Sequence, residues 1–255
     1  MPFRRPLAAA VFALALCGAP LAAAAQSFTE PQRGEIESIV KNYLLTHPEI
    51  LEEVSAELGK RQAKAEAEKH ATAVATNSET IFNSPRGVTL GNHNGDVNLV
   101  EFFDYNCGYC KHAMADMLAL MKADPKLRVV LKEFPVLGPG SVEAAQVAVA
   151  VRMQDPDGKK YLDFHQKLLG GRGQANKARA LAAAKDAGLD MARIEKDMNS
   201  PEVRATLEEN FKLAESMGMN GTPSYVIGKQ VVVGAVGLDA LKEKVAMARC
   251  GKAAC

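Results

Sequence analysis

The chain has 255 residues, 31 basic and 30 acidic side chains, 5% aromatic content and no tryptophan. A balance this close to neutral excludes recognition of nucleic acid or an anionic membrane through net charge. The length supports one main, mostly aliphatic core with an appendage. Arg4 and Arg5 precede an apolar run from Leu7 to Leu16 and a small-residue stretch ending Ala23-Ala24-Ala25. This pattern predicts a secretory leader, residues 1–25, cleaved before Gln26. The apolar run is too short for a membrane span of about 20 residues. Cleavage would remove Cys17 and two arginines but no acid, leaving 29 basic against 30 acidic residues, a charge of −1. Four cysteines would remain, an even number in a chain addressed to an oxidising compartment.

From Glu30 to about Ala75 the pattern is helical and polar. Ile36, Ile39, Val40, Tyr43 and Leu44, then Ile50, Leu51, Val54 and Leu58, form one apolar stripe. His47-Pro48 divides it into two helices, because proline disfavours helical geometry at the preceding residue and fits the first turn of a new helix. Each half is too short to be stable alone. Residues 26–75 are therefore expected to be a helical stalk that buries its stripe by self-association. The alternative is packing against the remainder of the same chain.

Residues 77–97 carry turn signals at Ser84-Pro85, Gly87, Gly91 and Asn94-Gly95, and Val88-Thr-Leu90 reads as a short strand. An edge hairpin opening the main domain, residues 76–255, is expected here. Val97 to Phe103 is almost continuously apolar, as in a strand buried on both faces. Glu101 interrupts it. A carboxyl buried there would have a raised pKa and could exchange protons with nearby groups, whereas one on an open edge would be an ordinary solvated glutamate.

The strand runs straight into Cys107-Gly108-Tyr109-Cys110 and a helical pattern. Residues i and i+3 of a helix lie roughly 5 Å apart, inside the ~4.4–6.8 Å Cα window of a disulfide. Cys107 at the first turn would meet free backbone N–H groups and the positive end of the helix dipole, which favour a nucleophilic thiolate. Cys110 would be the resolving thiol.

Met114, Met117, Leu118 and Met121 share the core face of the helix that follows. Arg128 to Phe134 is a second buried strand, which completes a right-handed parallel βαβ unit. Residues 139–217 read as a helical insertion in five segments, with Asp190 capping one of them. His165 lies on an apolar helix there and reads as a packed or surface side chain. No phosphate-binding glycine loop or catalytic triad occurs, and no cofactor is expected. Thr222-Pro223 opens an antiparallel meander that turns at Gly228-Lys229, and a helix from Leu238 to Arg249 closes the domain. Cys250 and Cys255 follow it. They could form a local structural disulfide, a second redox pair or part of a metal site; the local bridge is the favoured reading, with no metal site expected.

The order βαβ, helical insertion, Thr-Pro, ββα resembles the thioredoxin superfamily, in particular the DsbA-like periplasmic proteins. Glu101-Phe-Phe-Asp-Tyr-Asn-Cys-Gly-Tyr-Cys-Lys111 is similar to the matching stretch of ScsC and Com1-like secreted proteins. The resemblance implies an α/β thioredoxin fold with an inserted helical domain and an N-terminal stalk. It makes Cys107 the attacking cysteine, Cys110 the resolving one, Glu101 the buried acid, and Thr222-Pro223 a cis-proline loop beside the cysteines where substrate backbone binds, together with Gly108 and Tyr109. Gly108-Tyr109 and Thr222 depart from the DsbA pattern and look like the DsbC and DsbG isomerases. The implied activity is disulfide isomerisation on secreted proteins, with a DsbD-type membrane reductase as partner and a homotrimer built on the stalk. The alternatives are a dithiol oxidase and a Cu(I)-binding protein of copper tolerance.

Overall fold

The computed structural model describes residues 28–255, so the expected leader, including Cys17, lies outside the described residues. The chain divides into two compact units that meet in sequence at Leu58 and Gly59.

The first unit holds α1 (Glu30–Thr46) and the start of α2 (Glu49–Thr76), separated at His47-Pro48. Thr29 and Gln32 form a reciprocal capping box at the start of α1. Helical propensity, not a core, accounts for these segments, since no residue of α1 is buried. Ile39, Val40, Tyr43, Leu51, Val54 and Leu58 are all exposed.

The second unit continues α2 and adds a short α3 (Ser78–Phe82), followed by β1 (Val88–Gly91) and β2 (Val97–Phe103). Next come α4 (Gly108–Ala123), β3 (Leu127–Glu133) and five helices: α5 (Pro139–Arg152), α6 (Lys159–Leu169), α7 (Lys177–Asp186), α8 (Met191–Asp197) and α9 (Pro201–Ser216). β4 (Ser224–Ile227), β5 (Gln230–Val233) and α10 (Leu238–Cys250) complete it. Asn176, Asp190 and Ser200 cap α7, α8 and α9, each side chain accepting from the backbone N–H three residues on.

The sheet order is β1-β3-β2-β4-β5, with β2 and β3 parallel and the other pairs antiparallel. The expected hairpin between β1 and β2 does not form: β1 pairs with β3, and β3 separates it from β2. The turn between them is held by the start of β3, where Asn92 N–H donates to Leu127 O and Asp96 N–H to Lys126 O. A Cβ on Gly95 would come within 2.6 Å of Arg128 N, so this glycine serves a close backbone crossing and not a two-strand turn.

β2 and β3 are buried on both faces. Leu99, Phe103, Val129 and Leu131 join a core with α4, α10 and the inserted helices. Val100, Phe102, Val130 and Phe134 join a second core with Val74, Ile81 and Leu213. Strand alternation thus puts Glu101 on the same side as Leu99 and Phe103, beneath α4.

Candidate active site

The C-terminal end of β2 is flanked by two loops. The chain entering β4 lies on one side and the β3–α5 connection on the other, because β2 sits between β3 and β4 in the sheet. Cys107 follows β2 into this space and is the N-cap of α4, with extended backbone. Its Sγ accepts the N–H of Cys110 at 3.3 Å and donates to the Thr222 carbonyl at 3.1 Å. The Thr222–Pro223 peptide bond is cis. An N–H aimed at sulfur from the first helical turn is the arrangement that holds a thiolate, and a thiolate leaves the Thr222 carbonyl free to receive another donor.

Cys107 and Cys110 carry free thiols. Cys110 is fully buried, and burial pushes its pKa well above the usual cysteine range, with the charge of Glu101 adding to the rise. Glu101 is 3% exposed and lies opposite buried Tyr225 on β4. Burial, supplemented by repulsion from Asp116, pushes its carboxyl up to about 8. The site therefore pairs a buried thiol that keeps its proton with a buried carboxyl that gives up its own slightly above neutrality. Gly108 is exposed at the start of α4, and Tyr109 beside it is 71% exposed, so neither covers the sulfur by packing into the core.

Residues that sequence reasoning passed over hold this turn in place. Asp104 is buried, and its two oxygens accept four donors: Asn106 N–H and Ser141 Oγ at 2.7 Å, Val136 N–H at 2.8 Å and Leu137 N–H at 2.9 Å. Its own carbonyl accepts Cys107 N–H at 3.1 Å. Asn106 donates to Ser141 Oγ and the Ala175 carbonyl and accepts Ala175 N–H, while Lys111 Nζ donates to the Gly171 carbonyl at 2.7 Å. Tyr105 hydroxyl meets Tyr161 hydroxyl and His165 Nδ1, and Tyr161 donates to Glu133 at 2.6 Å. Burial pushes His165 down to about 3, so it is a neutral, packed ring. The available signal was a polar Asp104 directly after a buried strand, where a carboxyl needs partners.

Cys250 and Cys255 form a disulfide. Cys250 is the last residue of α10, not part of a tail beyond it as the sequence reading had it. Its neighbour Arg249 pairs with Asp96 and with Asp124, the C-cap of α4. The bridge thus sits at the far end of α4 from Cys107, roughly 24 Å away along a helix of this length, and the four cysteines are not brought together. Among the described residues no group of three or more His, Cys, Asp or Glu side chains is placed to hold a metal ion.

A helix-capping dithiol beside a cis X–Pro bond, at the end of the central strand of a five-stranded sheet, defines a thioredoxin-type exchange centre. Residues 98–246 match the DSBA-like thioredoxin domain, and residues 32–65 match the N-terminal domain of the copper resistance protein ScsC. The chain belongs to the DSBA-like thioredoxin family and is a thiol–disulfide oxidoreductase of the DsbA and ScsC type. A thioredoxin-like oxidoreductase from Silicibacter pomeroyi is 44% identical, covers 67% of this chain and 96% of its own, and has a TM-score of 0.64. Proteus mirabilis ScsC in a transitional conformation is 29% identical, with 88% and 98% coverage and a TM-score of 0.64. Disulfide bond formation protein D of Bacillus subtilis is 25% identical over 175 residues, 64% of this chain and 77% of that protein. The chain also matches Na(+)/H(+) antiporters, one from Herminiimonas arsenicoxydans at 28% identity, and spans only 21% of that protein's length.

Proposed function

We propose that the chain is a periplasmic disulfide isomerase that reshuffles wrong disulfides in secreted proteins. The observation that carries the exchange chemistry is the placement of Cys107 between the α4 N–H groups and the Thr222 carbonyl, with Cys110 buried behind it. The Cys107 thiolate attacks a substrate disulfide, forming a mixed disulfide and releasing one substrate thiolate. A different thiolate of the substrate then attacks the mixed disulfide, forming the correct bond and returning the electron pair to Cys107, so no net oxidation occurs. When Cys110 attacks instead, Cys107–Cys110 becomes the disulfide and the substrate departs with both thiols reduced. Glu101 is the proton acceptor for Cys110 in that step. The Thr222 carbonyl accepts an N–H from the substrate backbone, and Gly108 and Tyr109 form the exposed rim over which it lies.

The isomerase direction is supported by the unburied stripe of α1 and α2, which would join copies into a trimer with several dithiols facing one substrate. It is supported also by Gly108-Tyr109 and Thr222, where a strong oxidant of this family differs. A membrane reductase of the DsbD type would keep Cys107 reduced, and cleavage of the leader-like residues 1–25 would deliver the chain to the periplasm. The test is reactivation of scrambled ribonuclease by the full chain, compared with oxidation of the fully reduced enzyme. Reactivation, lost together with assembly in an Ile39→Asp, Val54→Asp variant, is expected. Oxidation alone would make the protein a DsbA-like oxidase.

A further inference from the structure

The connection between α6 and α7, residues 170–176, is fastened to both shoulders of the dithiol. Asn106, the residue before Cys107, grips the Ala175 peptide unit from two sides: its Nδ2 donates to the Ala175 carbonyl at 3.0 Å and its Oδ1 accepts the Ala175 N–H at 2.7 Å. Lys111, the residue after Cys110, donates from Nζ to the Gly171 carbonyl at 2.7 Å. The loop therefore lies against the exchange centre, and a molecule joined to Cys107 meets it.

Positive charge gathers on this loop without a counter-charge. Arg179, in the first turn of α7, folds back over it: a Cβ on Gly171 would come within 2.5 Å of Arg179 Nη2, and one on Gly173 within 2.8 Å of Nη1. The two glycines leave the guanidinium its place. Lys111 and Arg179 thus converge on one residue, Gly171, which holds their charges within about 10 Å of each other, a screening length in dilute buffer. Arg172 is exposed between the two fastenings. Among the described residues no carboxylate forms an ion pair with Lys111, Arg172 or Arg179. The acids of the neighbouring helices are engaged elsewhere, Asp163 with Lys167 and Glu143 with the backbone N–H of Lys177. A carbonyl holds Lys111 in position but does not cancel its charge. The whole chain is balanced at 31 basic to 30 acidic residues, so this excess is local, and a cluster of like charges is relieved by a bound anion.

We propose that Lys111, Arg172 and Arg179 receive an acidic segment of the protein substrate beside the cysteine that Cys107 attacks, so that the α6–α7 loop selects substrates by charge. The inference rests on exchange with protein thiols at Cys107 but not on its direction, because a mixed disulfide is the first product in isomerisation and oxidation alike. The test uses three peptides, each with one cysteine activated as a 2-pyridyl disulfide and flanked on both sides by glutamates, glutamines or lysines. With the dithiol of the full-length protein reduced, the Cys107 thiolate bonds to the peptide sulfur and one equivalent of 2-thiopyridone leaves, which reports the rate. Uncharged 2,2′-dipyridyl disulfide is the reference. The glutamate peptide should react about fivefold faster than the glutamine peptide, and the lysine peptide more slowly than either, with the differences fading in ~0.5 M salt. Arg172→Glu combined with Arg179→Glu should reverse the order and leave the reference rate within about twofold, whereas Arg172→Lys with Arg179→Lys should keep the order. Arg172→Glu alone, at an exposed position, should halve the glutamate preference. Lys185→Glu with Lys196→Glu, on exposed positions of α7 and α8, changes the net charge equally and should leave the order as it was. A preference that survives Arg172→Glu and the double arginine reversal overturns the proposal. So does an order reversed by Lys185→Glu with Lys196→Glu, which would make net charge the cause. An equal loss with the reference disulfide would make the arginines props for the dithiol and overturn it as well. If no peptide reacts while dipyridyl disulfide does, exchange with peptide thiols fails and the role of the loop fails with it.

Discussion

The molecule carries two cysteine pairs at opposite ends of α4, and they differ in every respect that controls thiol chemistry. Cys107 and Cys110 sit at a helix N-terminus, buried, with a carboxyl beneath them and a carbonyl facing the outer sulfur. Cys250 and Cys255 sit at a helix C-terminus, exposed, joined across Gly-Lys-Ala-Ala. The helix dipole favours an anion at the first place and disfavours one at the second. The same residue type is thus placed to exchange at one end and to stay bonded at the other. Spacing separates them too: three positions in a helix against five across a turn.

Substituting the outer cysteine should produce the largest difference between the pairs. Cys107→Ser should lower exchange with a protein disulfide by more than about a thousandfold, read by insulin reduction, because the remaining thiol, Cys110, is buried and keeps its proton. The next effect concerns the buried acid. Glu101 holds its proton to about pH 8 in the folded chain, against an ordinary value of 4.5. Between those values the folded state binds more protons than the unfolded one, so stability falls as pH rises through that window. Glu101→Gln should remove this penalty and stabilise the protein by on the order of 3 kcal/mol at pH 7, an effect that fades toward pH 4. Urea unfolding at pH 4 and pH 7 measures it, and equal gains at both pH values would refute the assignment.

Asp104→Asn should cost about 1–3 kcal/mol, since an amide N–H₂ must then face backbone donors that the carboxylate accepted. Equal denaturation midpoints in wild type and variant would show that the clamp is dispensable. The smallest effect is expected at the other pair. Cys250→Ser should change exchange by less than about twofold and stability by at most about 2 kcal/mol, because the bridge closes only a short loop at the end of the chain. A collapse of exchange would make it a second redox centre.

Much of the frame was legible because it rests on local pattern. The nearly continuous apolar run Val97–Phe103 reads as a doubly buried strand, and Cys107-x-x-Cys110 soon after it fixes where a helix begins. The break at His47-Pro48 and the cap at Asp190 are equally local. The β1–β2 connection was misread because Asn94-Gly95 has the composition of a hairpin turn, and only the neighbouring start of β3 reveals the crossing. The Asp104 clamp was invisible for a related reason. Three of its four partners lie more than 30 positions away, and contacts between single polar atoms leave no periodic trace in sequence.

The depth at which Cys110 is buried sets a clock. In the proposed mechanism its sulfur cannot attack until the proton has somewhere to go, and Glu101, pushed up to about 8, is only partly ionised, and so only partly able to take it, at neutral pH. At neutral pH that mechanism would make the covalent complex of Cys107 with a client long-lived and give the client's own thiols the first opportunity to end it. Raising the pH would shorten that interval and tip the outcome from rearrangement toward escape of a reduced client. The proportion of the two products is a ratio of lifetimes, written into one strand position and one helical turn.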